Sequence, residues 1–422
     1  MASCVIRSLR VRAGCALAAA AGATCFAGVP TLQPIARMFG GDVCRILEAS
    51  GDGRAFVGLS GARITRWSVW NGYESLGSMT TVTASSVATN FDSSVSVGYG
   101  SMHVSMNTTR LDGFRYTRAQ GLTTVDYVGP PPLNKDGTLI YAVSADGNTI
   151  AGTMGAEDDP TGTIRWPFKR IGSTMTYLPL GTADYGYGYD VSNDGNVVVG
   201  YTSKATLKMG CRWLANGTRQ DIGVTPGGTQ SLARLTNNDG SVIVGWSDTT
   251  TLKPIRWTQA SGVKLYTPLT TGTPTVNCLS GSGAVAGGSC SPGVATLWFD
   301  PATPVNFGTY LQSLGADITG WSAFSEVRAI SADGMIMYGT GTFNGVTTSW
   351  RVDLNGPCPA DFNNDLAVDD ADFAAFALAY DTLDCSLLAM PIGCPADLNG
   401  DGLVEDGDFV LFVMGYDALE CP

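Results

Sequence analysis

Short apolar runs separated by glycine-containing turns dominate residues 40–354. One phrase recurs there: a turn that usually carries Asp-Gly, a few mostly apolar residues, then a glycine six positions after the Asp. Its seven copies are Asp52–Gly58, Asp92–Gly98, Asp146–Gly152, Asp194–Gly200, Asp239–Gly245, Ser282–Gly288 and Asp333–Gly339. Asp-Gly turns beside β-branched runs predict hairpins, and the second glycine predicts close approach of a neighbouring backbone.

Each copy is followed 15 to 24 residues later by an aromatic residue, usually behind arginine. These aromatic residues are Trp67, Tyr116, Trp166, Trp213, Trp257, Trp298 and Trp350. Because structural repeats need the same filler in each copy, we interpret them as packing residues, with exposed sugar-stacking rings as the alternative. One four-stranded sheet per copy of about 45 residues predicts a mainly β protein built on a seven-bladed β-propeller.

The phrases VSNDGNVVVGY…CRW, which starts at Val191, and VSADGNTIAG…IRW, which starts at Val143, resemble the HAF-type extracellular repeats of bacteria. The resemblance covers about residues 40–354. It implies a propeller-like, non-catalytic, extracellular domain without an agreed ligand. The sixth copy departs from the pattern, with Ser282 in place of Asp and Leu297 in place of Arg.

The excess negative charge lies in the tail of the chain. Residues 357–422 hold twelve Asp and two Glu without any Lys or Arg, whereas the whole chain has a net charge of −12. Subtracting −14 from −12 leaves +2 for residues 1–356. Nothing basic therefore suggests nucleic-acid binding.

The tail contains two acidic loops at a 36-residue period. The second places oxygen-bearing side chains at loop positions 1, 3, 5, 9 and 12: Asp397, Asn399, Asp401, Glu405 and Asp408. Gly402 stands at position 6 and Leu403 offers its backbone carbonyl at position 7. This is the spacing of an EF-hand-type loop, which surrounds Ca²⁺ with roughly six to eight oxygens. The sequence therefore predicts bound Ca²⁺.

The first loop offers a similar set of candidate ligands: Asp361, Asn363, Asp365, the carbonyl of Ala367, Asp369 and Asp372. Its position 6 is Leu366 instead of glycine. Forcing a leucine towards left-handed φ costs about 1 kcal/mol. The first calcium site is therefore predicted to be the weaker or more distorted one.

An amphipathic helix is predicted after each loop from apolar residues at i, i+3, i+4 and i+7. These residues are Phe373, Phe376, Ala377 and Tyr380, then Phe409, Phe412, Val413 and Tyr416. Cys-Pro before each loop discourages an entering helix, so each copy is half of an EF-hand.

Repeat symmetry favours the disulfides Cys358–Cys385 and Cys394–Cys421, although other pairings remain open. In the body, Cys278 and Cys290 flank the sixth phrase and are expected to bridge adjacent strands. Whether Cys44 pairs with Cys211 stays open.

The paired half-EF-hand loops over residues 357–422 resemble a type I dockerin. The resemblance implies docking to a cohesin through loop positions 10 and 11, which are often Ser-Thr. Here those positions are Asp370-Ala371 and Asp406-Gly407. The expected partner is therefore a cohesin-like domain or another surface or extracellular protein.

Residues 1–27 predict a signal peptide. Three arginines (Arg7, Arg10 and Arg12) precede an apolar stretch from Gly14 to Ala23. No later segment approaches the ~20 apolar residues needed to span a membrane. We expect a secreted, extracellular or surface-associated protein in an oxidising compartment.

Two function hypotheses follow. The first is a non-catalytic binding or scaffold protein displayed through a calcium-dependent dockerin-like tail, with carbohydrate as a further candidate ligand. The alternative is a dockerin-tethered polysaccharide-active enzyme, a glycoside hydrolase or lyase with a propeller catalytic domain. His103 is the only histidine, and before the tail Glu occurs only as Glu48, Glu74, Glu157 and Glu326. We assign no catalytic residue, because neither an imidazole base nor a carboxylate pair stands out.

Overall fold

The computed structural model describes residues 29–35, 43–61, 63–69, 71–77, 84–105, 108–125, 135–156, 165–248, 251–354, 360, 362, 368–387, 390, 394, 396–398 and 401–416. The predicted signal peptide, residues 1–27, lies outside the described residues. No helix in these ranges is long and apolar enough to cross a membrane.

Within the described ranges, 28 strands form seven four-stranded antiparallel sheets, which confirms the seven-bladed propeller. Blade 1 contains β2 (Arg45–Ala49), β3 (Ala55–Ser60), β4 (Arg63–Ser68) and β5 (Gly72–Gly77). Blade 2 contains β6 (Ala84–Thr89), β7 (Val95–Ser105), β8 (Thr108–Thr117) and β9 (Gly121–Val125). Blade 3 contains β10 (Lys135–Val143), β11 (Thr149–Ala156), β12 (Arg165–Ile171) and β13 (Thr174–Tyr177).

The next three blades repeat this order. Blade 4 contains β14 (Tyr185–Val191), β15 (Val198–Lys204), β16 (Leu207–Trp213) and β17 (Arg219–Asp221). Blade 5 contains β18 (Ser231–Thr236), β19 (Val242–Asp248), β20 (Leu252–Thr258) and β21 (Gly262–Leu265). Blade 6 contains β22 (Pro274–Leu279), β23 (Ala286–Cys290), β24 (Val294–Asp300) and β25 (Thr303–Asn306), followed by helix α1 (Phe307–Ser313).

Blade 7 joins the two ends of the propeller. It contains β26 (Trp321–Ile330), β27 (Ile336–Phe343) and β28 (Val346–Asp353), with β1 (Thr31–Ile35) paired to β28 as the outer strand. β1 lies before residue 40, the predicted start of the propeller. The sequence did not indicate this strand, because no Asp-Gly phrase marks it. The ring is therefore closed by backbone pairing between distant parts of the chain.

The Asp-Gly phrase forms the turn between the first and second strands of a blade. In blade 4, Ser192 Oγ donates to Asp194 Oδ1 (2.5 Å), which also accepts from Asn196 N (2.9 Å). Gly195 has φ of 71°, a left-handed conformation that glycine adopts without strain. The aspartate is thus satisfied by its own turn.

The glycine that ends the phrase lies against the first strand. A β-carbon at Gly200 would lie 1.8 Å from the carbonyl oxygen of Tyr187, and one at Gly288 would lie 1.8 Å from that of Thr275. The other five copies would meet the equivalent oxygen at 2.0 to 2.4 Å. The predicted close backbone approach is confirmed in all seven blades.

The recurring aromatic residues pack in the interior, as predicted, in five blades. Trp67, Trp213, Trp257, Trp298 and Trp350 are buried. Tyr116 and Trp166 are half-buried, because the fully buried rings of blades 2 and 3 belong to Phe114 and Phe168, two residues away along the same strands.

Arginines beside these aromatics connect neighbouring blades. Arg66 Nη1 donates to Ser93 O (2.7 Å), and Arg212 Nη1 donates to Gly240 O (2.9 Å). Both acceptors are the left-handed residues of the next blade's turn. The Arg-Trp pairs therefore hold the ring together.

A closed ring of backbone hydrogen bonds joins the turns at one end of the propeller; we call it the turn collar. Its donor and acceptor atoms are Asp52 N to Phe91 O, Phe91 N to Ala145 O, Ala145 N to Asn193 O, Asp194 N to Asn238 O, Asn238 N to Gly281 O, Gly281 N to Ala332 O and Ala332 N to Gly51 O. Each bond is 2.8 to 3.2 Å long and crosses one blade boundary.

The expected Cys278–Cys290 disulfide is wrong. The register pairs Cys278 with Gly287 and Cys290 with Pro274, so the two thiols lie four positions apart along the strands. Cys278, Cys290, Cys44 and Cys211 are all buried and free. Cys44 and Cys211 therefore do not pair with each other.

The tail contains the two predicted helices, α2 (Asp370–Tyr380) and α3 (Asp406–Tyr416). Phe376 of α2 stacks on Phe412 of α3 with ring centroids 5.0 Å apart. Phe373 and Phe409, expected on the apolar face, are 45 % and 40 % exposed. The reason is that α2 turns Asp372, Phe376 and Ala379 inward.

Candidate functional site

The described part of the second acidic loop has its carboxylates directed at its own backbone. Asp397 Oδ1 accepts from Asp401 N (3.1 Å), and Asp397 Oδ2 accepts from Gly402 N (2.8 Å). Asp401 Oδ1 accepts from Leu403 N (3.0 Å). Gly402 has φ of 92°, which is the sharp turn that position 6 of an EF-hand-type loop requires.

The last acidic residue of each loop is completely buried. Asp372 and Asp408, 36 residues apart, are both 0 % exposed. Asp408 Oδ1 accepts from Leu398 N (2.7 Å) and its Oδ2 accepts from Glu405 N (3.0 Å). The Asp372 carboxylate accepts in the same way from the backbone N–H groups of Phe362 (2.7 Å) and Asp369 (3.0 Å). The two loops thus share one local design.

Three of the remaining predicted ligands lie within the described residues, and five lie outside them. Asp369 is the N-cap of α2, where its Oδ1 accepts from Ala371 N (2.8 Å). Glu405 and Leu403 are exposed at the edge of the second loop. Five predicted ligands lie outside the described residues: Asp361, Asn363, Asp365, Ala367 and Asn399.

The donor set of the second loop fits a calcium ion. Asp397, Asp401, Glu405 and Asp408 are hard oxygen donors within twelve residues, which is the ligand chemistry of Ca²⁺. Backbone N–H groups hold Asp408 in a buried position, and an ionised carboxylate there is costly unless it is paired or coordinates a metal. These residues would hold the ion, and it would supply the charge that neutralises them.

The predicted disulfide pairing in the tail is wrong. Cys385 is bonded to Cys394, with 5.3 Å between the Cα atoms. After α2 the chain runs alongside the second loop, where Val404 N donates to Leu383 O (2.7 Å). Cys385 is thereby brought to the start of the second copy, so the bond connects the two copies instead of clipping each one. The expected partners, Cys358 and Cys421, lie outside the described residues.

Reciprocal hydrogen bonds also join the two copies. Tyr380 Oη donates to Asp406 Oδ1 (2.6 Å), and Tyr416 Oη donates to Asp370 Oδ1 (2.5 Å). Each hydrogen bond to a carboxylate raises the pKa of its tyrosine. Position 10 of each loop, which the dockerin resemblance implies to be partner-facing, is therefore engaged by the other copy.

The second candidate site is the central channel, a cavity of about 420 Å³ lined by the first strand of every blade. Burial raises the pKa of Glu48 well above its usual range, with the nearby charge of Asp190 adding to the shift. Burial also raises the pKa of Asp190 to about 7. Glu48 Oε2 accepts from Thr89 N (3.1 Å) and Asp190 Oδ2 from Thr236 N (2.7 Å), each across a blade boundary.

Tyrosines form one side of this channel. Tyr141 and Tyr189 line it, and their ring centroids lie 5.2 Å apart. Tyr187 stacks on Tyr201 at 5.1 Å and lies 5.7 Å from Tyr189. Sequence analysis missed this cluster and the channel acids, although the alternation in YGYGYD, residues 185–190, places three tyrosines on one strand face.

No protein-family model matches the chain, and no curated protein matches it. Among solved structures, TolB from Acinetobacter baumannii is similar at 12 % identity over 74 % of this chain and 63 % of that chain, with a TM-score of 0.39. A prolyl endopeptidase matches at 12 % identity, over 82 % of this chain and 53 % of its own, with a TM-score of 0.48. An oligogalacturonate lyase in complex with manganese matches at 11 % identity, over 73 % and 88 %, with a TM-score of 0.46. Scores this low carry no argument about function.

Proposed function

We propose that the protein is a secreted, non-catalytic binding or scaffold protein whose HAF-like propeller is attached to a surface or extracellular partner through a calcium-dependent, dockerin-like tail. The observation that carries the proposal is the matched pair of buried carboxylates, Asp372 and Asp408, each held by backbone N–H groups at the end of an acidic loop. Each carboxylate ends a loop whose acidic side chains stand at the spacing of an EF-hand-type calcium loop. The hard oxygen donors of these loops favour Ca²⁺ as the ion.

The connections between the copies support a single docking module. The Cys385–Cys394 bond and the Tyr380–Asp406 and Tyr416–Asp370 hydrogen bonds join loop to loop. A partner therefore meets two calcium loops held in one arrangement, and calcium occupancy of one loop affects the other.

The test is calcium-dependent capture by the full-length mature chain. The immobilised protein is exposed to a type I cohesin domain and to the secreted and surface proteins of the source organism, in millimolar Ca²⁺ or in EGTA. We expect capture in Ca²⁺ that is lost in EGTA and in an Asp397→Ala/Asp401→Ala variant. Capture that is equal with and without calcium contradicts the proposal.

A polysaccharide-active enzyme is the second candidate, favoured by the raised pKa values of Glu48 and Asp190 in the channel, since perturbed acids in a cavity mark functional sites. Their hydrogen bonds across blade boundaries give both acids a structural role as well. Hydrolysis or elimination on a glycan panel, abolished by Asp190→Asn in a folded protein, would decide for the enzyme.

A further inference from the structure

The first strand of six blades carries a β-bulge at one equivalent position. The register with the second strand skips one residue there, five positions before the first residue of the turn phrase. The skipped residues, which we call the bulge ring, are Leu47, Tyr141, Tyr189, Arg234, Asn277 and Arg328. All six line the central channel. A bulge re-aims a side chain, and bulges are common beside active sites.

The bulge ring differs from the rest of the repeat in its side chains. The turn and the second glycine keep nearly the same residue types in all copies, because packing demands them. The bulge ring occupies equivalent backbone positions, yet it holds aliphatic, aromatic, amide and cationic side chains. These positions face the channel, where packing does not fix the residue type, so the blades can present different groups to an asymmetric ligand on the channel axis.

The cationic and amide residues form one arc of the ring. Arg234, Asn277 and Arg328 come from the consecutive blades 5, 6 and 7. Arg328 Nε is buried and, within the described residues, has no hydrogen-bond acceptor, although it forms an ion pair with Glu326 Oε1 at 3.8 Å. Arg234 lies over the ring of Tyr189 with 5.2 Å to the centroid. Guanidinium groups bind carboxylates through charge-assisted hydrogen bonds.

The aromatic residues form the adjacent arc. Tyr141 and Tyr189 come from blades 3 and 4, and Tyr189 is braced by Tyr187 and Tyr201. Arg234 and Tyr187 pack against the ring of Tyr189, so Tyr141 is the residue of this arc that offers an apolar face with a hydroxyl group at its edge, which suits a pyranose ring.

We propose that the bulge ring binds a carboxylate-bearing sugar, a uronic acid residue at the end of an acidic saccharide. The carboxylate lies against Arg234 and Arg328, and the pyranose ring lies on Tyr141. The turn collar is four residues further along the strands, roughly 10–13 Å away, and its residues line the same cavity. Asp190 and Glu326 lie beside these two arginines, so the carboxylate of the ligand competes with them for the guanidinium groups. The inference rests on the proposed binding function and names its ligand class.

The test is a titration of the full chain with galacturonate and glucuronate oligosaccharides, with neutral oligosaccharides of equal length, and with inorganic phosphate. The readout is calorimetry together with tryptophan fluorescence, because Trp246 lines the channel. We expect the uronates to bind at least about tenfold more tightly than the neutral sugars, with no competition by millimolar phosphate. Equal affinity for neutral and acidic sugars, or no binding of either, overturns the proposal.

Variants locate the site. Arg234→Gln and Arg328→Gln each remove one charge-assisted contact and should weaken uronate binding about tenfold to a hundredfold. Lys253→Gln, an exposed residue of β20 outside the channel, makes the same charge change and should leave the affinity unchanged. Unchanged affinity in both folded arginine variants overturns the proposal. If these variants do not fold, the wild-type preference for uronates and the Trp246 signal still decide.

The two proposals fail separately. Loss of uronate binding with calcium-dependent capture intact rejects only the ligand class. Uronate binding that is independent of calcium, in a protein that captures no partner, rejects only the docking function of the tail.

Discussion

The propeller and the tail are both built from repeats that contain an aspartate turn, but they satisfy their carboxylates differently. In the propeller, Asp194 is held by Ser192 and Asn196 of its own turn, and hydrogen bonding lowers the pKa of the equivalent Asp146 below its usual range. In the tail, Asp372 and Asp408 are buried at the ends of loops crowded with further acids. The aspartate of the propeller is held within its own turn, whereas each buried aspartate of the tail accepts from backbone N–H groups in two separate parts of its loop.

The propeller and the tail also differ in the contacts that hold their copies together. The propeller copies contact their neighbours through backbone hydrogen bonds and, in blades 1, 4 and 5, through an arginine, and β1 closes the ring. The two tail copies are joined by a disulfide and by hydrogen bonds from Tyr380 and Tyr416 to the aspartate at position 10 of the other copy's loop. An Asp-rich repeat therefore says little about metal binding until the partners of its carboxylates are known.

The largest expected effect is on the packing of the propeller. Gly200→Ala places a β-carbon 1.8 Å from the carbonyl oxygen of Tyr187, so the strands must separate. We expect a loss of about 3 kcal/mol or more in unfolding free energy, measured by denaturant titration. Gly217→Ala, which has φ of 80° and open space around it, is the control and should cost only about 1–2 kcal/mol. Equal losses in the two variants would contradict the close-approach role.

The recurring glycine was predictable because its requirement is local and identical in every copy. The bulge ring was not, because Leu47, Tyr141 and Arg234 share no residue type and only the strand register brings them to one level. The tail loops were recognisable from ligand spacing. Their disulfide was not, because repeat symmetry says nothing of how the chain passes from α2 to the second loop.

The next effect compares two aspartates directly. Asp401→Ala removes a predicted calcium ligand and should weaken calcium binding at the second loop about tenfold or more. Asp194→Ala removes a turn acceptor and should lower the unfolding free energy by about 1 kcal/mol while calcium affinity stays unchanged. Calorimetric titration and thermal unfolding of the two variants measure both properties. A drop in calcium affinity in Asp194→Ala would break the distinction between the two repeats.

Ionisation of Asp190 in the channel should make the stability of the protein fall as the pH rises. The pKa of Asp190 rises from 3.8 to about 7 on folding, so the folded protein favours its protonated form. Its contribution to stability is therefore fully present below pH 4 and is lost as the pH rises to about 7. We expect Asp190→Asn to lose less stability than the wild type between pH 5 and pH 8. Parallel pH profiles in denaturant unfolding would show that Asp190 does not titrate in this range.

The smallest expected effect concerns the contact between the tail copies. Tyr380→Phe removes one hydrogen bond to Asp406. Because this hydrogen bond is exposed to solvent, we expect only a small loss of stability. Tyr416→Phe should behave alike because the contact is symmetric, and calcium-loaded unfolding of the tail is the measurement. A large effect in only one variant would show that the two copies are unequal in this contact.

Isothermal calorimetry of the full chain with Ca²⁺ measures whether the tail binds calcium. We expect two binding events in the tail, the tighter at the loop of Asp397, Asp401 and Asp408 and the weaker at the loop that has Leu366 at position 6. We also expect both events to disappear when residues 357–422 are removed, while the propeller stays folded. No heat of binding up to millimolar Ca²⁺, or binding that survives removal of the tail, would contradict this expectation.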